Sequence, residues 1–248
     1  MEKEELLGFY IGLDLAQASD YTAIIVMDHV RRWEVDEHQI IRDPSQAPPL
    51  DKREAPKAPI ALNEEYRVRH IKRCNHRSYV EIVDLVGKLI KKIDRSTSSK
   101  THLIIDETGV GKAIVDMFRD AGLNPIPVTF HGGTNTTKSQ GSWHVPVRDC
   151  VAAAKRLLAT KQLKIIDNPL TETLVRELEN FQVKINPATG HDSYSAWREN
   201  EHDDLVFSLS LACWYCLKKQ KIGGKVIMGI QVGENEGRWS RLTGFGER

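Results

Sequence analysis

Apolar residues crowd into short runs early in the chain and spread into helical spacing later. Phe9 to Leu15 and Thr22 to Asp28 are apolar and rich in β-branched residues, and Ala16-Gln17-Ala18-Ser19-Asp20-Tyr21 separates them. That pattern predicts two strands, a turn and antiparallel pairing. Glu65 to Arg73 alternates charged residues with Tyr66, Val68 and Ile71, which predicts a third strand with a basic outer face and completes a meander. From Tyr79 to Ile93 the apolar positions Val80, Ile82, Val83, Val86, Leu89, Ile90 and Ile93 fall on one helical stripe, and Lys88, Lys91 and Lys92 lie near its C-terminal end, where cations suit the helix dipole.

The middle of the chain reads as βαβ: a buried strand at His102 to Asp106, an amphipathic helix at Gly111 to Ala121 and a strand at Pro125 to Phe130. Helices are expected at Val147 to Thr160, at Glu172 to Asn180, and from about Asp203 to Lys218-Lys221. A hairpin is expected from Phe181 to Ile185 with Asp192 to Ala196, turning at Asn186-Pro187-Ala188-Thr189-Gly190. Residues 34–65 lose all periodicity around Pro44, Pro48, Pro49, Pro56 and Pro59, which predicts a long surface insertion. The stretch 223–248 alternates briefly at Val226 to Val232 and then turns glycine-rich and charged, as a loose tail does. The whole, 1–248, reads as a single α/β domain: a mixed sheet of an antiparallel three-strand meander plus parallel strands, flanked by helices.

Charge narrows this only a little. With 35 Lys+Arg against 34 Asp+Glu the formal net charge is +1, so any basic surface must be local. Candidates are Arg67-Arg69-Lys72-Arg73-Arg77 and Lys218-Lys219-Lys221, for which solvated faces are the simpler use. Cys74, Cys150, Cys213 and Cys216 imply no disulfide framework, and a reduced cytosolic compartment is expected. Cys213 and Cys216 have CxxC spacing but lie in an apolar helical run without a second CxxC, which points to packed thiols rather than zinc. The charged start Met1-Glu2-Lys3-Glu4-Glu5 is not a signal peptide, and no apolar run reaches the length of a membrane span.

Candidate chemistry sits at element ends. Asp14 closes the first apolar run, Asp106 closes Leu103-Ile104-Ile105, and Asp203-Asp204 opens the last helix. Alone, each has an ordinary use, as a strand-end turn residue or a helix N-cap. Together they suggest an all-oxygen site, because Asp has little slack once its Cα is fixed and gathered carboxylates repel unless a cation neutralises them. Mg²⁺ or Mn²⁺ suits such a set. Thr108-Gly109-Val110-Gly111-Lys112-Ala113 is not a phosphate-binding P-loop, since Asp106 and Ala113 stand where that motif needs Gly and Ser/Thr. Its glycines instead predict a tight strand-to-helix turn beside Asp106.

Four segments in this order resemble the C-terminal nuclease domain of the large terminase subunit of tailed bacteriophages, within the RNase H-like superfamily. They are Ile11-Gly12-Leu13-Asp14 with Ser19-Asp20-Tyr21-Thr22-Ala23, Ile105-Asp106-Glu107-Thr108-Gly109-Val110-Gly111, Val145-Pro146-Val147-Arg148-Asp149, and Arg198 with His202-Asp203-Asp204-Leu205-Val206. The resemblance runs from about residue 9 to residue 217. It implies that Asp14, Asp106 and Asp203 are catalytic metal ligands, with Asp20 and Asp204 as helpers. Glu107, next to Asp106, points to the opposite face if the strand continues. His202, Arg198 and Lys138 become DNA-contact candidates, and Trp143 and His144 fall in what the family uses as a flexible loop near DNA.

The implied activity is cleavage of concatemeric viral double-stranded DNA during packaging, with low sequence specificity, in the cytoplasm of an infected bacterium. Two ions about 4 Å apart would serve it. Asp14 would bridge them, Asp106 would hold the one beside the attacking water and Asp203 the one beside the leaving 3′ oxygen. The implied partners are the terminase ATPase motor, the small terminase subunit and the portal. The chain carries no motor motif, which is expected of a separate nuclease or of an excised domain. A Holliday-junction resolvase or other RNase H-like nuclease would share these acids, and a non-catalytic nucleic-acid-binding packaging module would share the fold.

Overall fold

In the computed structural model, which describes residues 2–15, 21–34, 60–181 and 203–222, the chain opens with the long strand β1 (Glu2–Asp14). β2 (Thr22–Glu34) pairs antiparallel with β1, Asp14 opposite Ala23, and β3 (Ile60–Cys74) pairs antiparallel with β2. After helix α1 (Tyr79–Ser96), β4 (Thr101–Asp106) lies parallel to β1 on its other side. Helix α2 (Lys112–Asp120) leads to β5 (Pro125–His131), parallel to β4. A hairpin of β6 (Thr137–Ser139) and β7 (Ser142–Pro146) extends that edge, and α3 (Val147–Ala159) leads to β8 (Leu163–Ile165) beside β3. Helices α4 (Thr171–Asn180) and α5 (Asp204–Ile222) follow, and the strands among the described residues form an eight-stranded mixed sheet with order β6-β7-β5-β4-β1-β2-β3-β8.

Alternation along β1 splits the core in two. Phe9, Ile11 and Leu13 face one way and pack with Ile82, Val86 and Ile93 of α1 and Phe118 of α2. Tyr10 faces the other way, into a larger core that α3 and α5 share through Cys150, Leu157, Leu209 and Cys213. All four cysteines are buried and free, so the CxxC pair is packing material. No helix among the described residues is long and apolar enough to cross a membrane. Helix α1 starts with a full capping box between Ser78 and Glu81.

The meander strands run further than apolar periodicity suggests. β1 starts at Glu2, β2 reaches Glu34, and β3 begins at Ile60, inside the stretch assigned to the insertion. Cross-strand ion pairs sustain these polar ends: Glu4 with Arg32 and Arg67, Arg31 with Glu5 and Glu64, and Arg32 with Glu65. The segment around Trp143, expected as a flexible loop, is instead a hairpin, turned at Gln140 (φ 50°) and Gly141 (φ 87°), the left-handed pair that a tight two-residue turn requires. The three-residue β8 is not among the expected strands, being too short to carry a periodic pattern. Residues 35–59, the hairpin expected at 181–196 beyond Phe181, and the strand expected at 226–232 lie outside the described residues.

Candidate active site

Leu13 of β1 pairs in parallel register with Ile105 of β4, so the next residues, Asp14 and Asp106, end adjacent strands side by side. Neighbouring strands are about 4.8 Å apart. Alternation turns both side chains towards the face that α5 covers, since Leu13 and Ile105 belong to the opposite core. Asp14 is 6% and Asp106 2% exposed, so both carboxyl groups are largely shut off from solvent.

Local turns hold Asp106. The Thr108 amide donates to its Oδ1 at 2.7 Å, and the Phe130 amide donates to Thr108 Oγ1 at 2.8 Å, which folds the turn back onto β5. Gly109 (φ 83°) and Gly111 (φ 75°) supply the left-handed backbone that this turn needs before α2, as expected. Glu107 is buried on the other face, where Thr129 Oγ1 donates to its Oε1 at 2.8 Å, and its Oε2 has no hydrogen-bond partner among the described residues.

The third acid arrives on α5. Ser208 Oγ donates to the Gly12 carbonyl at 2.7 Å, while Lys219 near the other end of α5 meets His102, which lies level with Tyr10. The helix therefore runs against β1, with its start over the strand's C-terminal end. Asp203, half-buried, accepts the Phe207 amide through its carbonyl at 3.0 Å and so stands at the N-cap. Asp14 lies about 7 Å along the strand beyond Gly12. Asp203 lies about 7.5 Å along the axis before Ser208, so both overhang the same end of the sheet.

Asp204 has a different partner. Arg73 donates to both of its oxygens, Nε to Oδ2 at 2.7 Å and Nη2 to Oδ1 at 2.8 Å, and Nη2 also pairs with Glu177 of α4. The other oxygen of Glu177 accepts the amides of Leu205 and Val206 at 3.1 and 3.4 Å. Burial, with Asp204 adding and Arg73 opposing, pushes the Glu177 carboxyl up to about 7. The sequence pattern assigns neither role to Arg73 or Glu177. The available signal was a charged residue three positions after buried Leu174, on the inward stripe of α4.

The basic outer face expected on β3 is largely neutralised. Arg67 and Arg69 both pair with Asp28, which is fully buried, and Arg73 points into the acid pair above. Free cationic character is better kept on the far edge. Lys138 of β6 and Lys218 of α5 lie 5.2 and 5.0 Å from the ring centre of Trp143, which also packs edge-on against Trp214. Asp20, Arg198 and His202 lie outside the described residues. Among the described residues no three His, Cys, Asp or Glu side chains are gathered tightly enough to hold a metal ion. They supply the Asp14–Asp106 pair, with Asp203 at the start of α5 on the same face. Carboxylate oxygens are the hard donors that Mg²⁺ and Mn²⁺ take.

No protein-family model and no curated protein matches the sequence. The structure is similar to the large terminase nuclease of thermophilic phage G20c, with a TM-score of 0.50 and 18% identity over 83% of this chain and 80% of that one. More distant likenesses are the Mn-soaked, inhibitor-bound terminase nuclease domain of human cytomegalovirus (TM-score 0.48, 11% identity, 88% and 86% covered) and the Mn-bound large terminase nuclease domain of bacteriophage SPP1 (TM-score 0.41, 15%, 84% and 86%). The first of these likenesses shows that the chain shares the fold of that solved structure, a mixed sheet flanked by helices.

Proposed function

We propose that this chain is a divalent-metal-dependent endonuclease that cuts concatemeric viral double-stranded DNA during genome packaging, with little sequence preference. The observation that supports it best is the placement of Asp14 and Asp106 on adjacent strand ends beneath the start of the helix that brings Asp203. Asp14, Asp106 and Asp203 would hold the ions. A bound divalent ion supplies Lewis acidity towards the phosphate and acidifies water at neutral pH.

The chain's own residues do the rest. β1 and β4 hold two carboxylates on a rigid sheet, and the close seat of α5 on Gly12 fixes the third. Burial keeps water away from their flanks. Lys138 and Lys218 would give a duplex backbone two positive contacts, and contacts to phosphates carry no sequence information, which accords with low specificity. Asp20 is a proposed metal helper, and Arg198 and His202 are proposed DNA contacts. The terminase motor, the small subunit and the portal are the proposed partners.

Incubation of the protein with supercoiled plasmid in Mg²⁺, Mn²⁺ or EDTA tests the reading. Nicked and linear products should form with metal and be absent in EDTA, and Asp14→Asn should form none while melting as a folded protein. Cleavage by Asp14→Asn at the wild-type rate would overturn the assignment. Preferential cutting of four-way junctions over linear duplex would transfer the site to a resolvase.

A further inference from the structure

We propose that Arg73 is a positioning residue of the carboxylate site, acting through a buried clamp that fixes the first turn of α5 and with it Asp203; this rests on the nuclease reading above. Arg73 is the penultimate residue of β3, its side chain only 12% exposed, and its guanidinium carbon stands 5.0 Å from the Tyr21 ring centre, just before β2. Its fork closes on both oxygens of Asp204, the first residue of α5, and the same Nη2 pairs with Glu177. One cation thus joins β3, α4 and α5 in a planar, bidentate arrangement that a point charge cannot reproduce.

Glu177 makes the clamp double. The amides of Leu205 and Val206 are those that an N-cap side chain ordinarily satisfies, and here a carboxylate from another helix accepts both. The start of α5 is therefore held from outside on two sides, by Arg73 on the Asp204 side chain and by Glu177 on the backbone. Asp203 is the residue immediately before this held turn, so the clamp sets where its Cα stands relative to Asp14 and Asp106. Asp204 accordingly serves as the handle by which α5 is gripped rather than as a direct ligand.

Mn²⁺ titration calorimetry on wild type, Arg73→Gln, Arg73→Lys and Asp204→Asn, alongside melting curves and the Mn²⁺ dependence of plasmid cleavage, tests this. Supporting residues behind metal ligands typically change affinity about 10- to 100-fold. Arg73→Gln should weaken Mn²⁺ binding about tenfold or more and raise the Mn²⁺ needed for half-maximal cleavage alike, with Arg73→Lys between it and wild type. Asp204→Asn, which keeps one acceptor for Arg73, should bind Mn²⁺ more nearly as wild type does. If Arg73→Gln melts lower yet binds Mn²⁺ as wild type does, or if Asp204→Asn alone abolishes binding, the clamp is overturned while the nuclease reading stands. If Arg73→Gln does not fold, Arg73→Lys binding Mn²⁺ as tightly as wild type overturns it. No Mn²⁺ binding by the wild type overturns both.

Discussion

Gly12 and Ser208 meet backbone to backbone: a Cβ built on Gly12 would lie 1.8 Å from the Ser208 carbonyl oxygen, and Ser208 Oγ donates to the Gly12 carbonyl at 2.7 Å. No side chain fits between the central strand and the helix that carries Asp203. Gly12→Ala must therefore push α5 away from β1, at a cost of about 3 kcal/mol, the upper end of what core overpacking extracts. Ser208→Ala leaves the seat intact and removes one buried hydrogen bond, about 1 kcal/mol. Denaturant melts should rank the two in that order. Gly12→Ala should also lose cleavage under conditions where it is still folded, because the start of α5 moves with the helix, whereas Ser208→Ala should retain it.

Asp106 and Glu107 are consecutive acids on opposite faces of the sheet, and only the first faces α5. Asp106→Asn should abolish plasmid cleavage. Glu107→Gln keeps an oxygen for the Thr129 hydroxyl and should cut DNA at a rate close to wild type. Measured side by side with the same Mn²⁺ series, equal losses in the two variants would show that the active face is misassigned.

Much of this arrangement was legible in the sequence because it obeys local periodicity. Strand runs ending in Asp14 and Asp106, and a helix opening at Asp203, are patterns of period and terminus, and the structure puts β1, β4 and α5 where those patterns lead. What escaped was decided across the chain. Arg73 reads as one more cation in an alternating strand, and only the tertiary pairing with α4 and α5 shows its partners. The β6–β7 hairpin escaped because Trp143 is held by Trp214 and by lysines from two elements rather than by an alternating apolar run of its own. The polar ends of β1 to β3 were invisible to a hydrophobic pattern for the same reason, since ion pairs rather than apolar burial sustain them.

Lys138 and Lys218 grip one indole from two elements, and their ammonium groups remain available to a phosphate. Each lysine that neutralises a phosphate should contribute about 0.9 to the slope of log affinity against log salt concentration. Lys138→Gln with Lys218→Gln should therefore weaken duplex binding at low salt and flatten that slope by about 2. Fluorescence anisotropy with a duplex across a salt series in Ca²⁺ reads both quantities. An unchanged slope would confine these lysines to packing against Trp143.

His102 gives the fold an acid limit. Its ring stacks on Tyr10 of β1 and tilts against Tyr215 of α5, with Lys219 Nζ 2.7 Å from Nε2. Lys219 can only donate, so Nε2 is the acceptor and the ring proton sits on Nδ1. Burial, reinforced by Lys219 and by Lys100 ahead of β4, brings its pKa down from the ordinary 6.5 to about 4. The unfolded chain takes up a proton near pH 6.5 that the folded one refuses until about pH 4, so this group's contribution to stability is complete above pH 6.5 and is lost as pH falls through that window. His102→Phe keeps the aromatic packing and removes the titration. Unfolding free energy plotted between pH 7 and pH 4 should fall more steeply for wild type than for the variant, by the uptake of up to about one proton. Parallel curves for the two proteins would mean that the His102 ring is protonated as readily in the fold as in water.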